Sequence, residues 1–172
     1  FIVTEEQKTL LRTCKFVITL DLDTQLPGGS ARKLVGAISH PLNKPIVDEK
    51  TRKIIRGYGI LQPRVGVSLT SANSTRFSSI FAGQAGLDPY TNTVSDVYQD
   101  VFAEGSYVGK GIYDVKAFET SLRNRVPENT LLSHDLFEGN FARVGLVSDI
   151  EVFDEFPTRY QAFAKRQHRW VR

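Results

Sequence analysis

The stretch Phe16-Val-Ile-Thr-Leu-Asp-Leu-Asp-Thr24 is an apolar, β-branched run that ends in two carboxylates. Such a run predicts a buried strand, and side chains two residues apart on a strand point the same way. We therefore expect Asp21 and Asp23 to converge on one cation. Carboxylate oxygens suit Mg²⁺ or Mn²⁺, which commonly bind one or two carboxylates together with the oxygens of a substrate diphosphate. The stretch predicts a metal–diphosphate site, and the competing interpretation is an acidic turn after a strand.

The composition is that of one ordinary globular domain. The chain has 172 residues, of which 41% are hydrophobic and 24% are charged. A net charge of +3 does not by itself indicate nucleic acid, and we expect no nucleic-acid partner. The single cysteine, Cys14, excludes an internal disulfide and predicts a buried thiol. The chain begins at Phe1 without Met, so we expect a piece of a longer polypeptide.

Helical and extended patterns alternate along the chain. Thr4 and Gln7 have the spacing of a capping box, which predicts a helix before the Asp21 strand. A helical pattern follows over residues 31–40, and short β-branched runs follow over residues 45–67, where Pro63 indicates a strand end or an edge. Asp114 and Pro157 predict the starts of later helices. Alternating strands and helices predict a single α/β domain with a mixed, mostly parallel sheet flanked by helices.

His134-Asp135 places a carboxylate in the first turn of a predicted helix. A general base needs one carboxylate within hydrogen-bond reach of the attacking hydroxyl, and Asp135 is the candidate. The competing interpretation is a carboxylate that complements the helix dipole.

Arg166-Gln-His-Arg-Trp170 puts Arg166, Arg169 and Trp170 on one face of a predicted helix. Guanidinium groups bind phosphate oxygens bidentately, and an indole offers an apolar plane to a sugar ring. This face suits a phosphorylated sugar, whereas the competing interpretation is a solvated helix end whose Trp packs into the core. Gly109-Lys-Gly111 lacks the spacing of a phosphate-binding loop, so neither ATP nor NAD is supported.

In this order, Asp21-Leu-Asp23, Asp135 and Arg166-x-x-Arg169-Trp170 resemble the processive inverting glycosyltransferases of the cellulose-synthase type. Arg166 stands where that pattern has Gln, and His134 stands where Glu is common. Longer blocks resemble more closely the glycosyltransferase region of cyclic β-1,2-glucan synthases. These blocks are Tyr58-Gly-Ile-Leu-Gln-Pro-Arg64, Val94-Ser-Asp-Val-Tyr-Gln-Asp100, Glu104-Gly-Ser-Tyr-Val-Gly-Lys-Gly-Ile-Tyr-Asp114 and Ser133-His-Asp-Leu-Phe-Glu-Gly139.

The resemblance implies a partial GT-A-like nucleotide-diphospho-sugar transferase fold that lacks the N-terminal nucleotide-binding part. It implies transfer of glucose from UDP-glucose to a β-glucan acceptor, with inversion at the sugar. The roles that it implies are metal binding by Asp21 and Asp23 (Mg²⁺ or Mn²⁺), general base catalysis by Asp135, diphosphate contacts from Arg166 and Arg169, and acceptor stacking by Trp170.

The resemblance also implies a setting for the parent protein. We expect a bacterial inner-membrane protein with this domain on the cytoplasmic side, held at the membrane by parts outside this chain. The isolated chain is expected to be soluble and to have little or no transferase activity. A sheet without its first strands exposes an edge, so we expect a possible homodimer through that edge.

Two other functions remain open from the sequence. One is a noncatalytic module that binds glucan or organises an assembly through Tyr90, Tyr98 and Trp170. The other is a glycoside hydrolase, which needs two acids across a cleft, and Asp23 with Asp135 are the available pair. Sugar binding without a divalent metal would favour the first, and glucan hydrolysis without a nucleotide sugar would favour the second.

Overall fold

The computed structural model describes residues 4–82, 97–127, 130 and 134–171. The helices are α1 (Glu5–Arg12), α2 (Ser30–Ser39), α3 (Leu69–Ala72), α4 (Arg76–Phe81), α5 (Val97–Phe102), α6 (Val115–Leu122), α7 (Asp135–Ala142) and α8 (Tyr160–Val171), with a short 3₁₀ helix at Pro41–Asn43. The strands are β1 (Phe16–Thr19), β2 (Ile46–Val47), β3 (Ile54–Arg56), β4 (Ile60–Val67), β5 (Gly111–Asp114) and β6 (Val144–Asp154). None of these helices is long and apolar enough to cross a bilayer.

The main sheet has four strands in the order β1-β5-β4-β6, and β2 pairs with β3 in a separate hairpin. The predicted α/β class with flanking helices is confirmed. The prediction of a mostly parallel sheet is wrong, because β5 runs antiparallel to both β1 and β4 and only β4 and β6 are parallel. Strand direction depends on which distant segments pair, and the local alternation of helices and strands does not contain that information.

Strand β4 is the centre of the core because it is buried on both faces of the sheet. Ile60 and Leu61 are adjacent and therefore point to opposite faces. Leu61 packs with Leu34 and Ile38 of α2, whereas Ile60 packs with Ala117 of α6 and with Ala142 and Val144 at the end of α7 and the start of β6. The sheet is thus a middle layer between α2 and the pair α6 and α7.

Local predictions about helix ends agree with the structure. The capping box of Thr4 and Gln7 is present, α2 ends before Pro41, and Asp114 Oδ1 accepts a hydrogen bond from the N–H of Ala117. The last helix begins at Tyr160, three residues later than Pro157. Each of these features depends on residues within one helical turn, which is why the sequence alone predicts them.

Two expectations need correction, and the expectation of a strand end or an edge at Pro63 is confirmed in part, because among the described residues β4 has only β6 as a neighbour there. Pro63 lies inside β4, where β5 pairs only with the two residues Ile60 and Leu61 and the register with β6 shifts at Pro63, so the missing N–H of proline interrupts no regular ladder. Strand β1 is half-buried rather than buried, because it lies at an edge of the main sheet. Cys14 is exposed just before β1, and its Sγ donates to the carbonyl of Phe16 at 3.1 Å.

One edge of the main sheet collects the ends of several strands. Strands β1, β4 and β6 run in one direction and β5 runs in the other. The C-terminal ends of β1, β4 and β6 therefore lie beside the start of β5, and we call this the carboxyl edge. Asp21 and Asp23 follow β1, Asp154 ends β6, and Lys110 directly precedes β5.

Candidate active site

Lys110 joins the strand ends at the carboxyl edge. Its side chain is only 6% exposed, and its Nζ lies 2.7 Å from Asp21 Oδ2 and 3.2 Å from Asp154 Oδ2. Burial lowers the pKa of Lys110, but its hydrogen bonds and charge interactions with Asp21 and Asp154 outweigh burial and raise this pKa above its usual value. The buried lysine is therefore an ammonium ion that bridges two carboxylates.

Asp154 is held from both sides, whereas Asp21 is open. Thr24 Oγ1 donates to Asp154 Oδ1 at 2.6 Å, and Lys110 binds the other oxygen of the same carboxylate. The side chain of Asp154 is 19% exposed, compared with 54% for Asp21. The geometry makes Asp154 a fixed anchor and leaves Asp21 able to bind something from solvent.

Asp135, the first residue of α7, lies at the same edge. A Cβ atom placed on Gly109, whose φ is +82°, would lie 3.0 Å from Asp135 Oδ2. Burial raises the pKa of Asp135 and the charge of Asp21 raises it further, whereas the charges of His134 and Lys110 oppose this shift. Asp135 is therefore within electrostatic range of Asp21 and Lys110, and its raised pKa strengthens it as a base.

His134 makes its closest ionic contact with Glu138, one turn along α7. Its Nδ1 lies 2.8 Å from Glu138 Oε1 and 3.9 Å from Asp135 Oδ1. One ligand atom from each of these three side chains lies within 4.8 Å of the others. Among the described residues, these three side chains form a group that could hold a cation. The Asp21–Asp23 pair was predicted for that role, so the structure offers a second donor set beside Asp135.

Arg166 of α8 reaches the same carboxylates from the other side. Its Nη1 lies 3.9 Å from Asp23 Oδ2 and donates to the carbonyl of Glu155 at 3.0 Å. Burial lowers the pKa of Arg166, and the charge of Asp23 opposes that shift. The Nε of Arg166 is buried and has no hydrogen-bond partner among the described residues, whereas the side chain as a whole is 18% exposed.

The other two members of the predicted α8 cluster are at the surface. Trp170 is 57% exposed, and its ring centroid lies 5.0 Å from the guanidinium carbon of Arg166. Arg169 is also exposed, and its charge contributes to the lowered pKa of Arg166, which shows that the two guanidinium groups are neighbours. The interpretation that the tryptophan packs into the core is therefore wrong.

An aromatic cluster fixes the start of α8 against α4. The ring of Phe77 lies 6.2 Å from that of Phe156 and 5.9 Å from that of Phe163. Phe81 stacks on Phe77 with centroids 4.8 Å apart, and Tyr160 meets Phe77 edge to face. Phe156 is 8% exposed and also lies beneath Arg166, at 5.8 Å. This packing sets the direction in which Arg166 points.

The residues at this edge fit a divalent cation in charge and in donor type. Two of the four carboxylates at the edge, Asp21 and Asp23, are 54% and 43% exposed. The cluster also contains Asp135 and Asp154, against the buried or half-buried cations Lys110 and Arg166. Carboxylates outnumber these two cations by two, and oxygen donors are the ligands that Mg²⁺ and Mn²⁺ prefer.

The sequence reasoning missed Lys110, Asp154 and Thr24. Lys110 was considered only as part of a Gly-Lys-Gly pattern without nucleotide-loop spacing. Asp154 ends a strand, as the run before Asp21 does, and this similarity was the available signal. Ser133 and Tyr90 lie outside the described residues, as does the side chain of Tyr98, so their predicted contributions are not part of the site geometry.

Comparison with known proteins gives one informative match. Over 159 residues, or 92% of its length, the chain is 51% identical to cyclic beta-(1,2)-glucan synthase NdvB of Rhizobium meliloti (strain 1021). The matched stretch is 6% of the length of that protein. No protein-family model matches the chain. The similarity therefore concerns one region of a much longer protein.

Proposed function

We propose that the chain, which is similar to one region of a cyclic β-(1,2)-glucan synthase, carries the transfer site of an inverting, metal-dependent glycosyltransferase. The proposed reaction transfers glucose from UDP-glucose to a growing cyclic β-1,2-glucan. The proposed architecture is the acceptor-side part of a GT-A-like fold, with nucleotide binding and membrane attachment supplied by other regions of the full-length protein and with this region on the cytoplasmic side.

One observation carries the proposal: four elements deliver their charged groups to the carboxyl edge. Asp21 follows β1, Lys110 precedes β5, Asp135 begins α7, and Arg166 lies on α8. Contacts or charge interactions link Asp21 with Lys110 and Asp135, and Arg166 with Asp21. Ligands of open α/β sheets bind outside the carboxyl ends of the strands, which is where this cluster lies.

The donor is proposed to bind through its diphosphate. Arg166, whose side chain is 18% exposed, and the exposed, neighbouring Arg169 provide guanidinium groups for the phosphate oxygens. Asp21 and Asp23 would hold the divalent cation. When bound, such a cation supplies Lewis-acid stabilisation of the charge on the diphosphate.

Asp135 is the proposed general base. It takes the proton of the acceptor hydroxyl, whose oxygen forms the new bond to C1 of glucose while the bond from C1 to the UDP oxygen breaks and its electron pair leaves with UDP. A single displacement inverts the configuration, so an α-linked donor yields a β-linked product. The exposed plane of Trp170, next to Arg166, is the proposed stacking surface for the acceptor sugar.

A noncatalytic glucan-binding module is the second candidate, and exposed aromatic rings favour it. Trp170 is 57% exposed and Tyr160 is 66% exposed, both on α8. Apolar ring faces of this kind suit sugar rings with or without catalysis. The two candidates differ in whether the carboxylates are needed.

The test is glucose transfer by a full-length cyclic glucan synthase that contains this chain. Labelled glucose incorporated from UDP-glucose into glucan is measured for the wild type, Asp135→Asn and the control Asp149→Asn. Asp149→Asn is the same chemical change at an exposed position of β6. Loss of a general base lowers the rate by about 10² to 10⁴-fold, so Asp135→Asn is expected to fall in that range and Asp149→Asn to stay near the wild type.

Transfer by Asp135→Asn at the wild-type rate would contradict the assignment of the base. Glucan binding by the 172-residue chain distinguishes the noncatalytic glucan-binding module from the transferase. If the chain binds glucan without a divalent metal and equally well after Asp21→Asn and Asp23→Asn, the noncatalytic module is the better description. Glucan hydrolysis without any nucleotide sugar would instead support the hydrolase.

A further inference from the structure

We propose that Lys110 is a positioning residue that competes with the divalent cation for Asp21, and that Asp154 anchors Lys110 in this position. The inference rests on the proposed function, which assigns the cation to Asp21 and Asp23. It adds two residues, Lys110 and Asp154, for which the sequence motifs gave no role. The ammonium group of Lys110 already neutralises part of the negative charge of the site. A metal ion that binds Asp21 is therefore repelled by this ammonium group.

The ammonium group of Lys110 is held in place from several directions. Asp154 Oδ2 lies 3.2 Å from Nζ, and the other oxygen of Asp154 is bound by Thr24 at 2.6 Å. The backbone next to the lysine is closely packed, because a Cβ on Gly111 would overlap the carbonyl oxygen of Leu61 in β4. Because its side chain is only 6% exposed, the ammonium group of Lys110 stays inside the cluster instead of extending into solvent.

Lys110 and a divalent cation would both interact with the carboxylate of Asp21. The ammonium lies 2.7 Å from Oδ2, while the side chain of Asp21 is 54% exposed and so accepts a ligand from solvent. A cation on this carboxylate meets the repulsion of Lys110. At separations of several ångströms this repulsion weakens metal binding by about tenfold even with the dielectric constant of water.

The anchor predicts effects of opposite sign for two neutral substitutions. Lys110→Met removes the competing charge, so the metal is expected to bind more tightly. Asp154→Asn removes the anchoring charge and leaves Lys110 to interact with Asp21 alone, so the metal is expected to bind more weakly. A purely structural role for the ion pair predicts weaker binding in both variants, because each substitution removes one partner of the Lys110–Asp154 pair.

The experiment titrates Mn²⁺ into the 172-residue chain and measures free Mn²⁺ by electron paramagnetic resonance. We expect Lys110→Met to bind Mn²⁺ about tenfold more tightly than the wild type and Asp154→Asn to bind it more weakly. The double variant restores the wild-type charge balance and is expected to bind with near wild-type affinity. Lys116→Met, an equal charge change on the exposed surface of α6 at the other end of β5, is the matched control and is expected to change nothing.

Folding of each variant is checked by circular dichroism. If Lys110→Met does not fold, Asp154→Asn is compared with the double variant, which removes Lys110 without leaving Asp154 as an unpaired buried charge. The double variant must then bind Mn²⁺ more tightly than Asp154→Asn.

Mn²⁺ binding that is no tighter after the loss of Lys110, while Asp21→Asn still abolishes it, would overturn the competition and leave the metal assignment intact. Mn²⁺ binding that is unaffected by Asp21→Asn and Asp23→Asn would instead overturn the metal assignment in the proposed function, and the competition with it.

Discussion

Gly109→Ala tests whether Asp135 lies where the site requires it. The added methyl group would be 3.0 Å from Asp135 Oδ2 and 3.3 Å from its Cγ. These distances are shorter than ordinary van der Waals contacts, so the carboxylate of the candidate base must shift by a few tenths of an ångström. Gly29 provides a matched control, since its φ of +84° is nearly the same as the +82° of Gly109 and no atom lies within 4 Å of its added Cβ.

The structure separates two contributions to the loss of stability. Placing an L-residue in a left-handed conformation costs about 1–2 kcal/mol, and both variants share this cost. Turning Asp135 off its preferred rotamer adds about 0.5–1.5 kcal/mol in Gly109→Ala alone. The change in unfolded-state entropy is the same for both substitutions and cancels. The midpoint of thermal unfolding should therefore be about 1–6 °C lower for Gly109→Ala than for Gly29→Ala.

Thermal unfolding of the two variants, followed by circular dichroism, measures this difference. Transfer by the full-length protein gives the second readout, because a catalytic group displaced from its productive position lowers the rate. Equal midpoints for Gly109→Ala and Gly29→Ala, together with normal transfer by Gly109→Ala, would show that the Asp135 carboxylate does not lie over Gly109.

Three further predictions concern stability and association. Burial raises the pKa of Asp135, so its ionisation costs stability as the pH rises through that pKa. Asp135→Asn should therefore gain stability relative to the wild type between pH 4 and pH 7. A constant difference in the midpoint of thermal unfolding across this range would refute the prediction. Phe156→Ala should cost about 3 kcal/mol in urea unfolding, because the ring is 8% exposed within the α4–α8 cluster, and a loss below about 1 kcal/mol would contradict that packing. Among the described residues no strand pairs with the outer side of β1, which predicts self-association. Light scattering should show a mass that rises with concentration, and amide exchange of Phe16–Thr19 should slow with it; a constant monomer mass would refute this pairing.

The features that the sequence predicts well are those that neighbouring residues determine. The Thr4–Gln7 capping box and the Asp114 cap each satisfy helix N–H groups through side chains three residues away. The hairpin of β2 and β3 follows from two β-branched runs on either side of a polar turn that begins at Asp48. Short-range chemistry of this kind is the same in any fold, so no knowledge of distant partners is needed.

The direction of β5 and the burial of Pro63 depend on distant partners. β5 pairs with β1 and β4, which lie far from it in sequence, and nothing in Gly111–Asp114 indicates an antiparallel direction. Pro63 is tolerated inside β4 because β5 is too short to reach it and because β6 shifts register beside it. The residues around a proline do not indicate how long the neighbouring strands are or in which register they pair.

The site shows the same division. Asp21, Asp135 and Arg166 were identified by their residue types and spacing, and the structure places them at one edge of the sheet, whereas their chemical roles remain predictions. The sequence does not predict the roles of Lys110 and Asp154, because a lone lysine and a lone aspartate are typical surface residues. Only the tertiary structure brings them together as an ion pair. Burial and pairing are properties of the tertiary structure, so the charge balance of the site was not accessible from the sequence.

The reversed direction of β5 also bears on how the chain folds. Lys110 meets Asp21 across a separation of 89 residues and Asp154 across 44 residues. The pair with Asp21 needs β1 and β5 to have paired, and the pair with Asp154 also needs β4 and β6 in place. Loops of this length close slowly because their entropy must be lost before any contact forms. No partly folded intermediate that lacks one of these strands can contain the assembled carboxylates. The assembled cluster therefore exists only once all four strands have paired, and the proposed Mn²⁺ binding, followed during refolding, would time the completion of the sheet.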